Sequence, residues 1–106
     1  MRGVIWTCDR FGDGIEKLQY IRDRYIWSGV NVVREVYSRS NAWVEFDNGD
    51  TWRVASASDC GRGIRSNYAW IDSRCSEEFV NCVIKRTLTC HDGPRHYEFF
   101  MPRSDN

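Results

Sequence analysis

The strongest constraint on the fold is an Asn-Gly dipeptide that separates two stretches of alternating apolar and polar residues. Residues 42–46 (Ala-Trp-Val-Glu-Phe) alternate, Asn48-Gly49 follows, and residues 51–54 (Thr-Trp-Arg-Val) alternate again. Asn-Gly is favoured in the two-residue turns that join antiparallel strands, because those turns need positive φ angles. The sequence therefore predicts a β-hairpin here, and the rest of the fold must accommodate it.

The segments before the hairpin predict a strand, a helix and a second strand. Residues 3–8 are apolar, residues 14–28 carry apolar side chains at helical spacing, and residues 31–38 are rich in β-branched side chains. Asp13 is the predicted N-cap of the helix, and Gly29 is predicted to end it. A strand–helix–strand order argues for parallel pairing, so together with the hairpin it predicts a mixed sheet.

After the hairpin, the pattern predicts a loop over 55–67, a strand over 68–72, a helix over 77–86 and a terminal hairpin formed by 87–90 and 97–101. The predicted fold class is α/β: a single small domain, residues 1–106, with a mixed β-sheet, an N-terminal βαβ unit, the central Asn-Gly hairpin and a second helix. Residues 102–106 are expected to form a flexible tail.

Charge and hydropathy exclude several classes of function. The 106 residues include 15 basic and 15 acidic ones, so the formal net charge is zero, whereas proteins that coat duplex DNA carry basic excess. No apolar run approaches the ~20 residues of a membrane span, and the N-terminal apolar stretch is too short for a secretory signal. We therefore expect no membrane partner and a cytoplasmic location.

The five cysteines argue for an intracellular protein without a metal centre. Their number is odd and no Cys-x-x-Cys pair occurs, which favours reduced thiols over a disulfide framework. Cys90, His91 and His96 lie close together in the sequence, but their spacing fits no common zinc pattern. The expectation is buried structural thiols, with no metal and no cofactor.

The basic residues are almost all arginine, 13 of the 15, and the chain contains five tryptophans. Guanidinium groups bind phosphate bidentately and stack on rings, so this composition suits a small anionic ligand with an aromatic part. A genome rich in G and C, which favours arginine codons, is the alternative explanation.

The segment 58–68 is the predicted binding loop. Gly61 and Gly63 allow close approach of a ligand to the backbone, and Arg62 and Arg65 can bind phosphates. Asn67 can bind a base edge or a ribose hydroxyl, and Tyr68 or Phe79 can stack on a ring. The alternative is a surface loop with solvated arginines.

Residues 44–73 resemble the middle of the phage terminase large-subunit ATPase core. In that family a hairpin with an Asn-Gly turn leads to an Arg-Gly-x-Arg-like loop, here residues 62–65, and then to an apolar strand that ends in Asp-Glu. The resemblance makes Asp72 the match for the metal-binding aspartate, whereas Ser73 replaces the catalytic glutamate. Residues 8–15 stand where a P-loop would be, but no Lys-Ser/Thr pair follows the glycine, and two aspartates would repel phosphate. The sequence therefore predicts no ATP hydrolysis and no catalytic residues.

In overall character the chain resembles the phage Thoeris anti-defence nucleotide sponges, which sequester cyclic ADP-ribose-type immune signals without cleaving them. That family binds its ligand with arginines, an aromatic ring and an asparagine, in pockets that a second subunit completes. The resemblance implies a phage or prophage protein in the bacterial host cytoplasm that binds a cyclic ADP-ribose-type or cyclic oligonucleotide signal. The ligand-binding residues it suggests are Arg62, Arg65, Asn67, Tyr68, Phe79 and Arg103.

Three further expectations accompany this hypothesis. The many large aromatic side chains exceed what a small core readily buries, so we expect a homo-oligomer. One alternative function is a nucleic-acid-associated phage protein related to the terminase ATPase core, for which duplex DNA is disfavoured by the net charge. Another is an inhibitor that binds a host defence enzyme through its surface.

Overall fold

The structure, a computed structural model, describes residues 1–8, 10–56, 58, 64, 66–87 and 96–101. The described elements are, in chain order, β1 (Arg2–Thr7), α1 (Phe11–Trp27), β2 (Val32–Tyr37), β3 (Ala42–Phe46), β4 (Thr51–Ser56), β5 (Tyr68–Asp72), α2 (Glu77–Thr87) and β6 (His96–Phe100). The six strands form one sheet in the order β2-β3-β4-β1-β5-β6. The predicted α/β fold with a mixed sheet is confirmed.

Strand directions divide the sheet into a parallel half and a hairpin half. β1 lies between β4 and β5 and is parallel to both, and β6 is parallel to β5. β3 is antiparallel to its neighbours β2 and β4. The predicted Asn-Gly hairpin joins β3 to β4, but through a three-residue loop over 47–49 and not a two-residue turn: the Gly49 N–H donates to the Phe46 carbonyl at 3.1 Å, and Gly49 has a positive φ of +92° while Asn48 does not.

Around α1, the structure corrects one detail of the sequence prediction and confirms another. The helix begins at Phe11, so Asp13 is not the N-cap but lies within the first turn, where it is only 4% exposed. Its carboxylate binds Arg74, a residue 61 positions away that a local capping pattern does not take into account. The helix ends at Trp27 and Gly29 follows with a φ of +94°, which confirms the predicted stop.

The predicted terminal hairpin is corrected at Thr87 and otherwise lies partly outside the described residues. Thr87 is the last residue of α2 and not the start of a strand, and residues 88–95 lie outside the described residues. The strand predicted over 97–101 is present as β6, but it pairs in parallel with β5. The predicted tail, 102–106, lies outside the described residues as well.

One face of the sheet is closed by α1. Gly14 brings this helix so close that an added Cβ would lie 2.5 Å from a methyl group of Val54 and 2.6 Å from one of Thr7. Gly3 leaves room for the buried Trp52 indole, whose ring atoms would lie 2.4 Å from a Cβ at position 3. The core on this face comprises Ile5, Leu18, Ile21, Ala42, Val44, Phe46, Trp52, Val54 and Phe100.

The opposite face is closed only in part. α2 lays Val83 and Phe79 against a second core that includes Trp6 of β1 and Ile71 of β5. On β3 and β4 this face instead carries side chains that reach solvent, such as the exposed Arg53. The face opposite α1 is therefore half core and half open surface.

The cysteines only partly match the expectation. Cys82 is disulfide-bonded, so the expectation of reduced thiols is wrong for this residue. Cys8 and Cys75 are half-buried and are not in disulfides, and Cys60 and Cys90 lie outside the described residues. In the part of the chain that the structure describes, no helix is both long and apolar enough to cross a membrane.

Candidate functional site

The carboxyl ends of β1 and β4 open into a polar pocket. Because these strands are parallel, their following loops emerge at the same edge of the sheet, where open α/β sheets bind ligands. The pocket has a volume of about 390 Å³ and is lined by Thr7, Cys8, Phe11, Arg39, Ser40, Ser56 and Ser58. We call it the carboxyl-edge pocket.

The lining of this pocket suits an anion with an apolar part. Arg39, in the turn after β2, contributes an exposed guanidinium group, and Ser40 contributes a hydroxyl. Ser56 and Ser58 share a hydrogen bond of 2.7 Å between their hydroxyls. Phe11 supplies an aromatic wall and is also the first residue of α1, so the positive end of the helix dipole lies at the pocket. Charge and hydroxyl groups together favour a phosphate or carboxylate ligand.

Beside this pocket, an arginine binds two buried carboxylates. Asp72, at the end of β5, is fully buried, and its oxygens accept hydrogen bonds from the backbone N–H of Arg74 (2.8 Å) and from the guanidinium Nη2 (3.3 Å). The same Nη2 donates to Oδ2 of Asp13 at 2.6 Å. The hydrogen bonds to Asp72 and then to Asp13 raise the pKa of Arg74. We call these three residues the Asp13–Arg74–Asp72 bridge.

The bridge explains how this chain departs from a P-loop ATPase. Four residues separate Thr7 from Gly12, the spacing between the two glycines of a P-loop, and Asp13 and Gly14 then stand where Lys and Ser/Thr would be. The lysine that would bind phosphate is thus replaced by a carboxylate, and the hydroxyl that would bind Mg²⁺ is missing. Asp72, the match for the metal-binding aspartate, is bound to a cation of the protein itself. These residues do not fit a magnesium nucleotide.

The described residues also contain no cluster of three or more His, Cys, Asp or Glu side chains that could hold a metal ion.

Two of the predicted ligand-binding residues lie at the opposite edge of the sheet. Asn67 immediately precedes β5, and its side-chain oxygen accepts a hydrogen bond of 2.8 Å from the backbone N–H of Arg2. The Tyr68 ring packs 5.7 Å from Trp52, and its hydroxyl donates to Glu98. Both side chains therefore have partners within the fold, at the amino end of the parallel strands.

Phe79 lies on the other side of the sheet from the Tyr68 ring. It sits on α2 and makes an edge-to-face contact with Trp6, with 5.7 Å between ring centroids. Tyr68 packs against the α1-side core, so the structure does not bring these two rings together. Arg62, Arg65 and Arg103 lie outside the described residues.

The predicted binding loop thus begins and ends at opposite edges of the sheet. Ser58 lines the carboxyl-edge pocket, whereas Asn67 lies at the amino edge. Between them, Ile64 packs against the core beneath α2. Among the described residues of the loop, Ser58 lies at the pocket, whereas Ile64 and Asn67 do not.

Sequence reasoning did not select Arg39, Ser40 or Arg74. Arg39 and Ser40 become site residues because β2 runs in the same direction as β1, which places the turn after β2 at the carboxyl edge. A signal for Arg74 was present, since a cation two residues after a strand-end aspartate can reach back to its carboxylate.

Comparisons with known proteins identify the fold. The chain is similar to the large terminase of a thermophilic bacteriophage: in one crystal form the TM-score is 0.66 at 15% identity, over 94% of this chain and 26% of that chain. For another crystal form of the same terminase, in complex with ADP, the TM-score is 0.63 at 15% identity, over 92% of this chain and 25% of that chain. This chain therefore spans about a quarter of the terminase chains. No family model matches, and no curated protein does.

These structural neighbours are phage proteins and agree with the terminase likeness of residues 44–73. At this identity they show a shared fold. They give no support to the resemblance to nucleotide sponges.

Proposed function

We propose that this protein binds a small nucleotide-derived anion in the carboxyl-edge pocket and does not hydrolyse it. The observation that carries the proposal is the contrast at one edge of the sheet between an open pocket with an exposed cation, Arg39, and two buried carboxylates that are both paired with Arg74. The ADP-bound terminase of the same fold supports the choice of a nucleotide-derived ligand.

The proposal is tested by calorimetry with ADP, cyclic ADP-ribose, a cyclic dinucleotide and inorganic phosphate. Arg39→Ala should weaken binding about ten- to a hundredfold, since a charge-assisted hydrogen bond contributes roughly 1.5–3 kcal/mol. Arg24→Ala is the matched control, because Arg24 is an exposed arginine in the last turn of α1, far along the helix from Phe11. If wild type binds none of the four probes, the proposal fails.

Equal binding by wild type and Arg39→Ala would place the ligand elsewhere. The arginines of the sequence prediction would then be tested by Arg62→Ala, Arg65→Ala and Arg103→Ala. Loss of binding in those variants alone would restore the site proposed from the sequence and overturn the carboxyl-edge pocket.

The absence of hydrolysis is a separate prediction. With ATP and Mg²⁺ we expect no phosphate release, because Asp13 stands in place of the P-loop lysine and Ser73 in place of the catalytic glutamate. Activity that Asp72→Ala leaves unchanged indicates a contaminating enzyme. Activity that Asp72→Ala abolishes would contradict the proposal.

The biological role we propose is sequestration of a cyclic ADP-ribose-type or cyclic oligonucleotide immune signal by a phage protein, within a homo-oligomer. Bound ligand should return chemically intact when the protein is denatured, and light scattering at micromolar concentration should give at least a dimer. A cleaved ligand or a monomer mass would each contradict this role, while leaving nucleotide binding itself to the calorimetric test.

A further inference from the structure

A second surface of the protein is the open half of the sheet face opposite α1. Strand register places its side chains in two rows. Val36, Trp43 and Arg53 form the first row, which ends at the buried Val4, and Arg34, Glu45, Thr51 and Arg2 form the second. We call this surface the open sheet face.

The open sheet face combines a half-buried indole with unpaired cations. Trp43 lies directly across from Arg53 on the neighbouring strand. Arg2, Arg34 and Arg53 are exposed, and in the part of the chain that the structure describes none of their guanidinium groups forms a salt bridge. Glu45 is the single acid in the two rows, so three positive charges meet one negative charge in a chain whose net charge is zero.

The open sheet face contains a concavity that could receive part of a ligand. It has a volume of about 360 Å³, and the side chains around it include Trp43, Arg53, Arg2 and Ile64. Arg34 lies beyond it, on β2, three strands away from Arg2. At about 4.8 Å per strand, these two cations are roughly 14 Å apart across the sheet. A single phosphate cannot contact both, whereas successive phosphates of a chain can.

We propose that the open sheet face binds single-stranded nucleic acid, with a base stacked on Trp43 and backbone phosphates bound by Arg2, Arg34 and Arg53. A partly accessible aromatic ring among cations on a sheet is an arrangement that binds unpaired bases without sequence preference. A duplex keeps its bases stacked within itself and offers none to Trp43. A second copy of the chain would place the same excess of positive charge against this one, which disfavours a symmetric dimer through this face.

The test measures the fluorescence anisotropy of labelled oligo-dT and oligo-U, each about twelve nucleotides long, at several salt concentrations. Trp43→Ala should weaken binding about tenfold or more, and Trp43→Phe should restore part of it, because phenylalanine retains a stacking ring. With three phosphate contacts, the logarithm of the binding constant should fall with the logarithm of salt concentration at a slope of about −2.

Arg53→Gln and Arg34→Gln should each weaken binding and reduce the magnitude of that slope by about 0.7. Arg24→Gln is the control: it removes the same charge from α1, on the other side of the sheet, and should leave the slope unchanged. Circular dichroism melting of each variant shows that it is folded before binding is compared.

Four outcomes would overturn the inference. The first three are no oligonucleotide binding by wild type, an equal loss of affinity in Arg24→Gln and Arg53→Gln, and equal affinity for a duplex of the same length. The fourth is a Trp43→Ala variant that changes from dimer to monomer while oligonucleotide binding persists. The last would make the face an interface between copies. Arg39→Ala should leave oligonucleotide binding unchanged, and a loss confined to that variant would assign the strand to the carboxyl-edge pocket instead. The two proposed binding sites are therefore tested independently of each other.

Discussion

The two faces of the sheet differ in how completely the fold covers them. On the α1 face, Tyr25 stacks on Phe46 with ring centroids 4.0 Å apart and planes within 12° of each other, and Trp52 is only 4% exposed. On the opposite face of β3 and β4, Trp43 is half-buried and Arg53 is exposed. Neighbouring tryptophans of one hairpin therefore lie in different surroundings, Trp52 within the core and Trp43 at a partly accessible surface.

The largest expected effect comes from truncating these two tryptophans. Trp52→Ala should lower the free energy of unfolding by about 3–5 kcal/mol, because it leaves a cavity beneath α1 and removes the indole N–H that donates to the Tyr25 hydroxyl at 3.1 Å. Trp43→Ala should cost about 1–3 kcal/mol, less than Trp52→Ala, since its ring is half-buried and lies outside the buried core clusters. Urea denaturation of both variants measures the difference.

Similar losses in the two variants would show that the open sheet face is as much a part of the core as the α1 face. The contrast on which the nucleic-acid inference depends would then be wrong.

The next largest effect is a difference in stability between alanine substitutions at two glycines in the first turn of α1. Gly14→Ala should destabilise the fold by about 1–3 kcal/mol, because the new methyl group would meet Val54 and Thr7 at 2.5–2.6 Å. Gly12→Ala meets nothing within 4 Å and should leave stability unchanged or raise it by up to about 1 kcal/mol, as alanine favours helix. Thermal melting of both variants distinguishes packing from helix propensity, and a Gly14→Ala variant as stable as Gly12→Ala would contradict the close approach assigned to Gly14.

Local patterns were sufficient to predict the elements that local chemistry determines. The strands at 42–46 and 68–72 have the predicted bounds, and the Asn48-Gly49 turn joins the predicted pair. The N-cap prediction for Asp13 is wrong because a capping pattern considers only neighbours along the chain, whereas its carboxylate binds Arg74 across the fold. The pairing of β6 with β5 is likewise a matter of sheet topology, which an apolar run at 97–101 does not encode.

The site was harder to predict than the fold. The chemical type of Asn67 and Tyr68 predicts a ligand-binding role, but the structure gives both of them hydrogen-bond partners at the amino edge of the sheet. Arg39 and Arg53 have no motif around them, and their importance follows from strand direction and from the face on which register places them. The sequence does not contain that information in any short window.

The smallest expected effect is a pH dependence of the stability of the fold, which arises from Tyr25 on the α1 face. Burial raises the pKa of Tyr25 from its ordinary value of 10.0 to about 12, partly offset by the hydrogen bond from Trp52, and the hydrogen bond to Asp50 adds to it. The folded protein therefore holds the phenol proton more tightly than the unfolded chain does. This contribution to stability is complete below pH 10 and is lost as the pH rises through about 12.

The urea midpoint should accordingly fall between pH 10 and 12, and Tyr25→Phe, which cannot ionise, should show a shallower fall over the same range. Burial also raises the pKa of Tyr37 to about 12, so part of the decline should persist in Tyr25→Phe and diminish further in the double variant with Tyr37→Phe. Tyr20→Phe is the control, because Tyr20 is 57% exposed on the outer side of α1. Equal slopes for wild type and Tyr25→Phe would show that the phenol is in contact with water in the folded protein, and that the packing of α1 on this face is looser than the stacked Tyr25 and Phe46 rings indicate.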